Sequence, residues 1–339
     1  MKANLRAPIT VGVIVAALAI ALRLGSGDPL TSPNPFITLG IVSGAIYGLV
    51  ALGLVLVYKG TRVFNFAAGE FGTLAAYFLF LAVDDRLGGL PYWLGIILAI
   101  QGVLVVGLVV ERVVIRPLIE APRITVLVTT IALALLLVGV EILAFKAEPR
   151  SLRPMVAAAG ADGPNTFTIF DYPLTPQQLI SLGVLAALGG LLAWFFSRTD
   201  MGLAVLATSQ DSFATRVVGI GVDRMSRFIW VSAAVLGGIA GILYIPHIGS
   251  LQPGVMTQNI LIPAFTAAVL GGMASLPGAF VGGVVVGVVQ STSQWASGHY
   301  YLGDQPWQAT LPGLEQMAVL FVLLAVLLVR PQGLLGREA

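Results

Sequence analysis

The fold of this chain is decided by residues 36–57, which read FITLGIVSGAIYGLVALGLVLV and contain no charged residue. An apolar run of about 18 residues or more is long enough to cross the hydrocarbon core of a bilayer as a helix. Residues 58–73 follow as YKGTRVFNFAAGEFGT and return to apolar sequence after two basic residues. This pattern indicates a chain that enters the membrane again soon after leaving it.

Apolar runs of this kind recur along the whole chain, of which only 10% of residues are charged. A soluble domain carries about a quarter charged residues. We therefore predict an all-α membrane protein: a polytopic bundle of about 8–10 transmembrane helices, forming a single domain over residues 1–339. The other predicted spans are Pro8–Leu22, Val63–Val83, Tyr92–Val110, Ile124–Ala144, Gln178–Phe196, Phe228–Ile245, Ile260–Ser293 and Leu314–Val329.

Two of these spans leave the helix count open. The basic flank of Pro8–Leu22 resembles a signal peptide, but no clean cleavage site follows, and we interpret the run as a helix. Ile260–Ser293 is interrupted around Pro277, and proline disfavours a continuous helix. This region is predicted to be discontinuous, as two short spans or as one re-entrant hairpin.

The distribution of Lys and Arg predicts the orientation. With the N-terminus in the cytoplasm, 13 of the 18 basic residues fall on the cytoplasmic side, as the positive-inside rule requires. An even number of crossings then places both termini in the cytoplasm. Residues 145–177 become an external loop, and residues 197–227 become a cytoplasmic loop.

Several function classes lose support from what the sequence lacks. It has no cysteine, two distant histidines and no Gly-Lys pair, so thiolate and Walker-type phosphate sites are absent from it. We predict no catalytic residue, no metal site, no cofactor and no enzymatic activity. The net charge of +2 is explained by basic cytoplasmic loops rather than by nucleic acid, and membrane lipid is the expected surrounding.

The segment 58–73 places Asn65 and Glu70 inside an apolar run. A carboxylate within the membrane costs several kcal/mol unless it faces protein or water. Glu70 is therefore either a pathway residue or one half of a satisfied pair between helices. Glycines 60, 69 and 72 permit an irregular backbone, which is tolerated where a cavity is lined. A structural hydrogen-bonded clamp is the alternative, and we predict Asn65, Phe66, Gly69 and Glu70 as substrate-pathway residues.

A second interrupted segment, residues 265–278, reads FTAAVLGGMASLPG and adds Gly271 and Gly272 to the predicted pathway. Paired interrupted segments mark midplane sites in transporters, although a simple helix kink would give the same pattern. Glycines 44 and 48, 278 and 282, and 283 and 287 each fit G-x-x-x-G. This spacing favours close helix packing within the chain over a dimer motif.

The cytoplasmic loop contains a predicted amphipathic helix, Leu203–Val218, ended by glycines 219 and 221. Its apolar stripe could lie on the membrane surface or fit a groove on a partner. The candidate coupling residues in this helix and its end are Gln210, Asp211, Phe213, Arg216 and Gly219.

Five short motifs resemble, in the same order, those of permease subunits of branched-chain amino acid ABC importers of the LivH type. Residues 63–71 (VFNFAAGEF) resemble the family's INFAHGE, and residues 116–118 (RPL) resemble its RPLRG junction. The family's cytoplasmic loop motif ATAQD…GINVDR is similar to residues 207–211 (ATSQD) and 219–224 (GIGVDR). Residues 268–279 (AVLGGMASLPGA) are similar to its VLGGMGSIPGA.

The resemblance implies a complex of two permease subunits, identical or paralogous, with two cytoplasmic ATP-binding subunits and a periplasmic or extracellular binding protein. It implies the cytoplasmic (inner) membrane of a bacterium or archaeon, and it implies that the helix around Asp211–Gly219 docks into the ATPase. The chain departs from the family at Ala68, where the family has histidine. It also departs at Leu203, Leu206 and Phe213, where charged residues are usual.

The leading hypothesis is the permease subunit of an ABC importer for branched-chain or other apolar amino acids, working by alternating access. Two other classes stay open: a proton-coupled secondary transporter that uses Glu70, and a passive channel or scaffold. Within the ABC class, importers of urea, amides or sugars are the alternatives.

Overall fold

The structure is a computed structural model that describes residues 34–84, 88–118, 121–156, 167–169, 172–210, 215, 217, 221–273, 275–299, 313–330 and 332–333. Its described helices are α1 (Asn34–Thr61), α2 (Ala68–Val83), α3 (Tyr92–Val110), α4 (Arg123–Phe145), α5 (Pro176–Arg198), α6 (Asp200–Gln210), α7 (Val222–Ile248), α8 (Val255–Gly271), α9 (Leu276–His299) and α10 (Leu314–Val329). A π turn, Glu111–Ile115, and a 3-10 turn, Arg116–Leu118, extend α3.

The predicted all-α polytopic bundle is confirmed. Within the described residues, six helices are long and apolar enough to cross a membrane, and α2, α8 and α10 are shorter apolar helices. The predicted first span, Pro8–Leu22, lies outside the described residues. The described part of the predicted external loop contains two three-residue strands, β1 (Phe167–Ile169) and β2 (Tyr172–Leu174), which pair antiparallel.

Helix α1 forms the centre of the bundle, because glycines let two other helices approach its backbone. An added Cβ at Gly44 would lie 2.6 Å from the carbonyl oxygen of Gly283 in α9. One at Gly53 would lie 3.4 Å from the carbonyl oxygen of Ala233 in α7. The predicted role of the G-x-x-x-G motifs in packing within the chain is confirmed, since glycines 44 and 48 meet glycines 283 and 287. Helices α3, α4, α5 and α10 expose large apolar faces at the periphery.

The predicted span Val63–Val83 begins later than expected, because residues 62–67 leave the helix. Arg62 takes a left-handed φ of 55°, and the side-chain carbonyl of Asn65 accepts the N–H of Ala67 at 3.0 Å. An asparagine that binds its neighbouring backbone in this way competes with helix formation. Helix α2 therefore starts at Ala68 and contacts the middle of α7, where a Cβ at Gly237 would lie 2.9 Å from the carbonyl oxygen of Ala68.

The region predicted as discontinuous consists of two helices, α8 and α9, which form an antiparallel hairpin. The break lies at Gly272, whose φ of 95° suits glycine. Pro277 stands in the first turn of α9, where a missing N–H has no intrahelical partner to lose. The predicted cytoplasmic helix Leu203–Val218 also differs in its bounds, since α6 begins at Asp200 and is described to Gln210.

Candidate functional site

The irregular segment 62–67 is held in place by a threonine from another helix. Thr130 of α4 is buried, and its hydroxyl accepts the N–H of Phe66 at 3.3 Å. Its single proton is shared between the carbonyl oxygen of Leu127 within α4, at 2.8 Å, and that of Phe64, at 3.2 Å. One side chain therefore contacts both a donor and an acceptor of the irregular segment. The irregular backbone predicted for this segment is present, and Thr130 is the partner that the sequence did not identify.

Aromatic rings connect this segment to α8. The rings of Tyr58 and Phe64 stack with centroids 5.0 Å apart, and Phe64 meets the edge of Phe265 at 5.2 Å. Phe66 stacks on Phe265 at a centroid distance of 6.4 Å. Phe66 is half-buried whereas Asn65 is fully buried, so the segment presents rings to the middle of α8 and keeps its amide inside.

The first turn of α8 lies against the first turns of α2. The hydroxyl of Thr73 accepts the N–H of Met256 at 3.4 Å, and a Cβ at Gly69 would lie 2.8 Å from the backbone of Thr257. Only glycine leaves room for this approach. The N-termini of two helices thus meet inside the bundle, where their unpaired N–H groups and dipoles favour negative charge.

Two carboxyl groups occupy this junction. Glu70 in α2 and Glu141 in α4 are both fully buried, and their side chains face each other together with Thr73 and Thr257. An oxygen of Glu141 accepts the N–H of Gly254 at 3.0 Å. Glu141 was not among the predicted residues. The criterion that singled out Glu70 would have found it, because it is a lone carboxylate in the apolar run Ile124–Ala144.

Gly271 and Gly272 lie at the opposite end of α8 from Glu70. Thr257, which contacts Gly69, precedes Gly271 by 14 residues, which corresponds to about 21 Å along a helix. Gly271 packs against the backbone of Gly278, and Gly272 packs against Gly333. The structure therefore places Gly69 and Glu70 at the first turn of α8 and Phe66, next to the buried Asn65, against its middle. The other two predicted glycines lie at its far end.

Another face of α8 borders a cavity of about 290 Å³ between α8, α9 and α10. Its lining combines apolar side chains such as Ile262 and Leu320 with four amides, from Gln258, Asn259, Gln290 and Gln316. Amide groups at membrane depth require polar partners or water. This lining suits a solute with both polar and apolar parts.

The predicted coupling residues fall mostly outside the described structure. Gln210 is the last described residue of α6, while Asp211, Phe213, Arg216 and Gly219 lie outside the described residues. Within the described part of the loop, Leu203 is 54% exposed and Val217 is 72% exposed. These residues present apolar surface at the end of the bundle where the loop emerges.

Ion pairs connect α3 to α7 at the same end of the bundle. Arg116, in the predicted RPL motif, donates to the carboxylate of Asp223 at 2.6 Å. The guanidinium Nε of Arg227 lies 3.7 Å from the buried carboxylate of Glu111. Two motifs separated by more than a hundred residues are therefore in direct contact.

These features define a polytopic α-helical membrane protein. No group of three or more His, Cys, Asp or Glu side chains among the described residues is placed to bind a metal ion. The chain belongs to the family described as branched-chain amino acid transport system / permease component, whose family model matches residues 36–329.

Curated relatives of this chain carry matching descriptions. It is 30% identical over 310 residues to the high-affinity branched-chain amino acid transport system permease protein BraD of Pseudomonas aeruginosa, covering 88% of this chain and 94% of that protein. It is 29% identical over 307 residues to LivH of Escherichia coli, with the same coverage. A shorter match of 34% identity to the xylose transport system permease protein XylH of Haemophilus influenzae covers 36% of this chain and 32% of that protein.

Proposed function

We propose that this chain is the transmembrane permease subunit of an ABC importer that translocates branched-chain or other apolar amino acids by alternating access. The observation that carries this proposal is the family match across the bundle, supported by two relatives matched over 94% of their length. The match to the xylose permease covers a third of that protein, which gives a sugar substrate weaker support.

The partners follow from this assignment. We propose two cytoplasmic ATP-binding subunits, a second permease subunit that is identical or paralogous, and a periplasmic or extracellular binding protein. The orientation has both termini in the cytoplasm of a bacterial or archaeal cell. In support, Lys59, Arg116, Arg224 and Arg227 gather where α1 and α3 end and α7 begins, as the positive-inside rule expects.

Helix α8 is the element that we propose to move during transport. Phe66, Gly69 and Glu70 contact it on one side, Gly271 and Gly272 end it, and the amide-lined cavity lies on another face. In this proposal the substrate passes along the cavity. The predicted pathway residues then act by positioning α8, and Phe66 does so through its contact with Phe265 in the middle of that helix.

Reconstitution tests the proposed function. Proteoliposomes that contain the chain, its candidate ATPase and its binding protein are expected to take up labelled leucine only when ATP is hydrolysed. An ATPase variant that binds but does not hydrolyse ATP is the control. Uptake driven by a pH gradient without the ATPase would establish the proton-coupled alternative, and a leak of solute without ATP would establish a channel.

Cross-linking tests the coupling loop. Because the chain has no cysteine, Leu203→Cys introduces a single thiol on exposed surface of α6. We expect a short bifunctional reagent to link it to the ATPase. Leu143→Cys is the matched control, since Leu143 is 87% exposed at the other end of the bundle. Linkage of both variants, or of neither, contradicts the proposed docking site.

A further inference from the structure

The facing carboxyl groups of Glu70 and Glu141 have too few hydrogen-bond donors around them. One oxygen of Glu141 accepts from Gly254. Among the described residues, the other oxygen of Glu141 and both oxygens of Glu70 have no donor at hydrogen-bond distance and angle. A buried polar group without a partner costs about 1–3 kcal/mol, and more if it is charged.

The surroundings of the pair contain two hydroxyl groups that also lack partners. Tyr77 is fully buried and lies on the same face of α2 as Glu70 and Thr73, at helical spacing. Its hydroxyl has no partner among the described residues, and both carboxyl groups act on it electrostatically. The hydroxyl of Thr257 is likewise buried and unpartnered. The junction therefore holds two buried, unpartnered hydroxyl groups in addition to the two carboxyl groups.

The cation that acts on Tyr77 is directed toward other partners. Arg150 acts on the Tyr77 hydroxyl, but its guanidinium lies over the ring of Phe80 at 5.3 Å and donates to the carbonyl of Phe145 at 3.1 Å. Two carboxylates held together in a low-dielectric interior repel each other strongly, and such pairs resolve the conflict by sharing one proton.

We propose that Glu70 and Glu141 form a proton-binding site in which one proton is shared between Glu70 and the free oxygen of Glu141. The other oxygen of Glu141 accepts the N–H of Gly254 at the start of α8, and the hydroxyls of Thr73 and Thr257 face Glu70. The shared proton thereby joins two buried oxygens that are otherwise unpartnered.

The proton joins three elements that are distant in sequence. Glu70 belongs to α2, Glu141 belongs to α4, and the accepted N–H of Gly254 belongs to the start of α8. The site acts as a clamp that fixes the end of α8 against the bundle. This inference rests on the described geometry alone and stands or falls independently of the substrate and of the ATPase.

Infrared spectroscopy of the purified protein in deuterated buffer tests the site. We expect the carbonyl stretch of an un-ionised carboxylic acid in the wild type at neutral pH, and we expect Glu70→Gln to remove it. Glu111→Gln is the matched control. Glu111 is equally buried but lies 3.7 Å from the guanidinium of Arg227 and is not part of the pair, so the control is expected to keep the band.

Three results would overturn the proposal. The first is a wild-type spectrum without an un-ionised acid band. The second is a band that survives in Glu70→Gln. The third is a band that disappears when sodium is added, which would show that a metal cation occupies the junction. If Glu70→Gln fails to fold, the same spectrum is measured on Glu141→Gln. Removing the second carboxyl group of the pair must shift or abolish the band.

Discussion

Thr130→Val is the most discriminating test of how the segment 62–67 is held. Valine has nearly the shape of threonine, so the change removes the hydroxyl and little else. It leaves the carbonyl of Phe64 and the N–H of Phe66 without the partner that now lies 3.2 and 3.3 Å away. Each buried group left unpaired costs about 1–3 kcal/mol. Because the carbonyl of Phe64 shares the hydroxyl proton with the closer carbonyl of Leu127, we expect a total loss of about 2–4 kcal/mol, which is less than the full cost of two unpaired groups.

The neighbouring residue supplies the control for this change. The hydroxyl of Thr129 bonds the carbonyl of Thr125 within α4, at 2.8 Å. Thr129→Val is therefore expected to change stability by less than about 0.5 kcal/mol, as surface substitutions do. Thermal unfolding in detergent, followed by tryptophan fluorescence, measures both variants.

The expected shift for Thr130→Val is a Tm lower by about 3–6 °C, given the unfolding entropy of a chain of this length. The reasoning is refuted if Thr130→Val and Thr129→Val unfold within a degree of each other. In that case the irregular segment is held by its aromatic contacts with α8, and the threonine bridge contributes nothing measurable.

Two further predictions concern helix contacts. Gly69→Ala is expected to destabilise the protein by about 1–3 kcal/mol through overpacking against Thr257. Gly139→Ala, where an added Cβ meets nothing within 4 Å, is expected to stabilise it by about 0.5–1 kcal/mol; equal Tm shifts for the two would contradict the close approach. Asp223→Asn is expected to lower stability by less than about 1 kcal/mol, because both partners of the Arg116 pair are partly exposed. The Tm difference should vanish in about 1 M salt, where screening is strong, and a salt-independent difference would count against the ion pair.

Most of the helices were predictable from composition and span length. The predicted spans Tyr92–Val110 and Leu314–Val329 coincide with α3 and α10, and Ile124–Ala144 differs from α4 by one residue at each end. Such runs must form helices in lipid because every backbone group has to be satisfied within the segment. The late start of α2 was not predicted, since it depends on Arg62, on the Asn65 side chain and on a threonine from α4.

The candidate site was predictable only in part. Glu70 was identified because a carboxylate inside an apolar run needs an explanation, and one alternative considered for it was a pair between helices. Its partner could not be assigned from spacing, because Glu141 follows Glu70 by 71 residues and comes from a different helix. The positions of Gly271 and Gly272 away from Glu70 likewise follow from the direction of α8, which no local pattern encodes.

The sequence by itself determined an all-α membrane bundle, because hydrophobic span length is a local property. Only the tertiary structure decided that residues 36–57, now helix α1, lie at the centre of the bundle. Glycine spacing shows that a helix can be approached closely, but the packing of the whole bundle decides which other helix approaches it. In the same way, burial showed that Glu70 needed a partner, and only the fold brought Glu141 and the first turn of α8 to it.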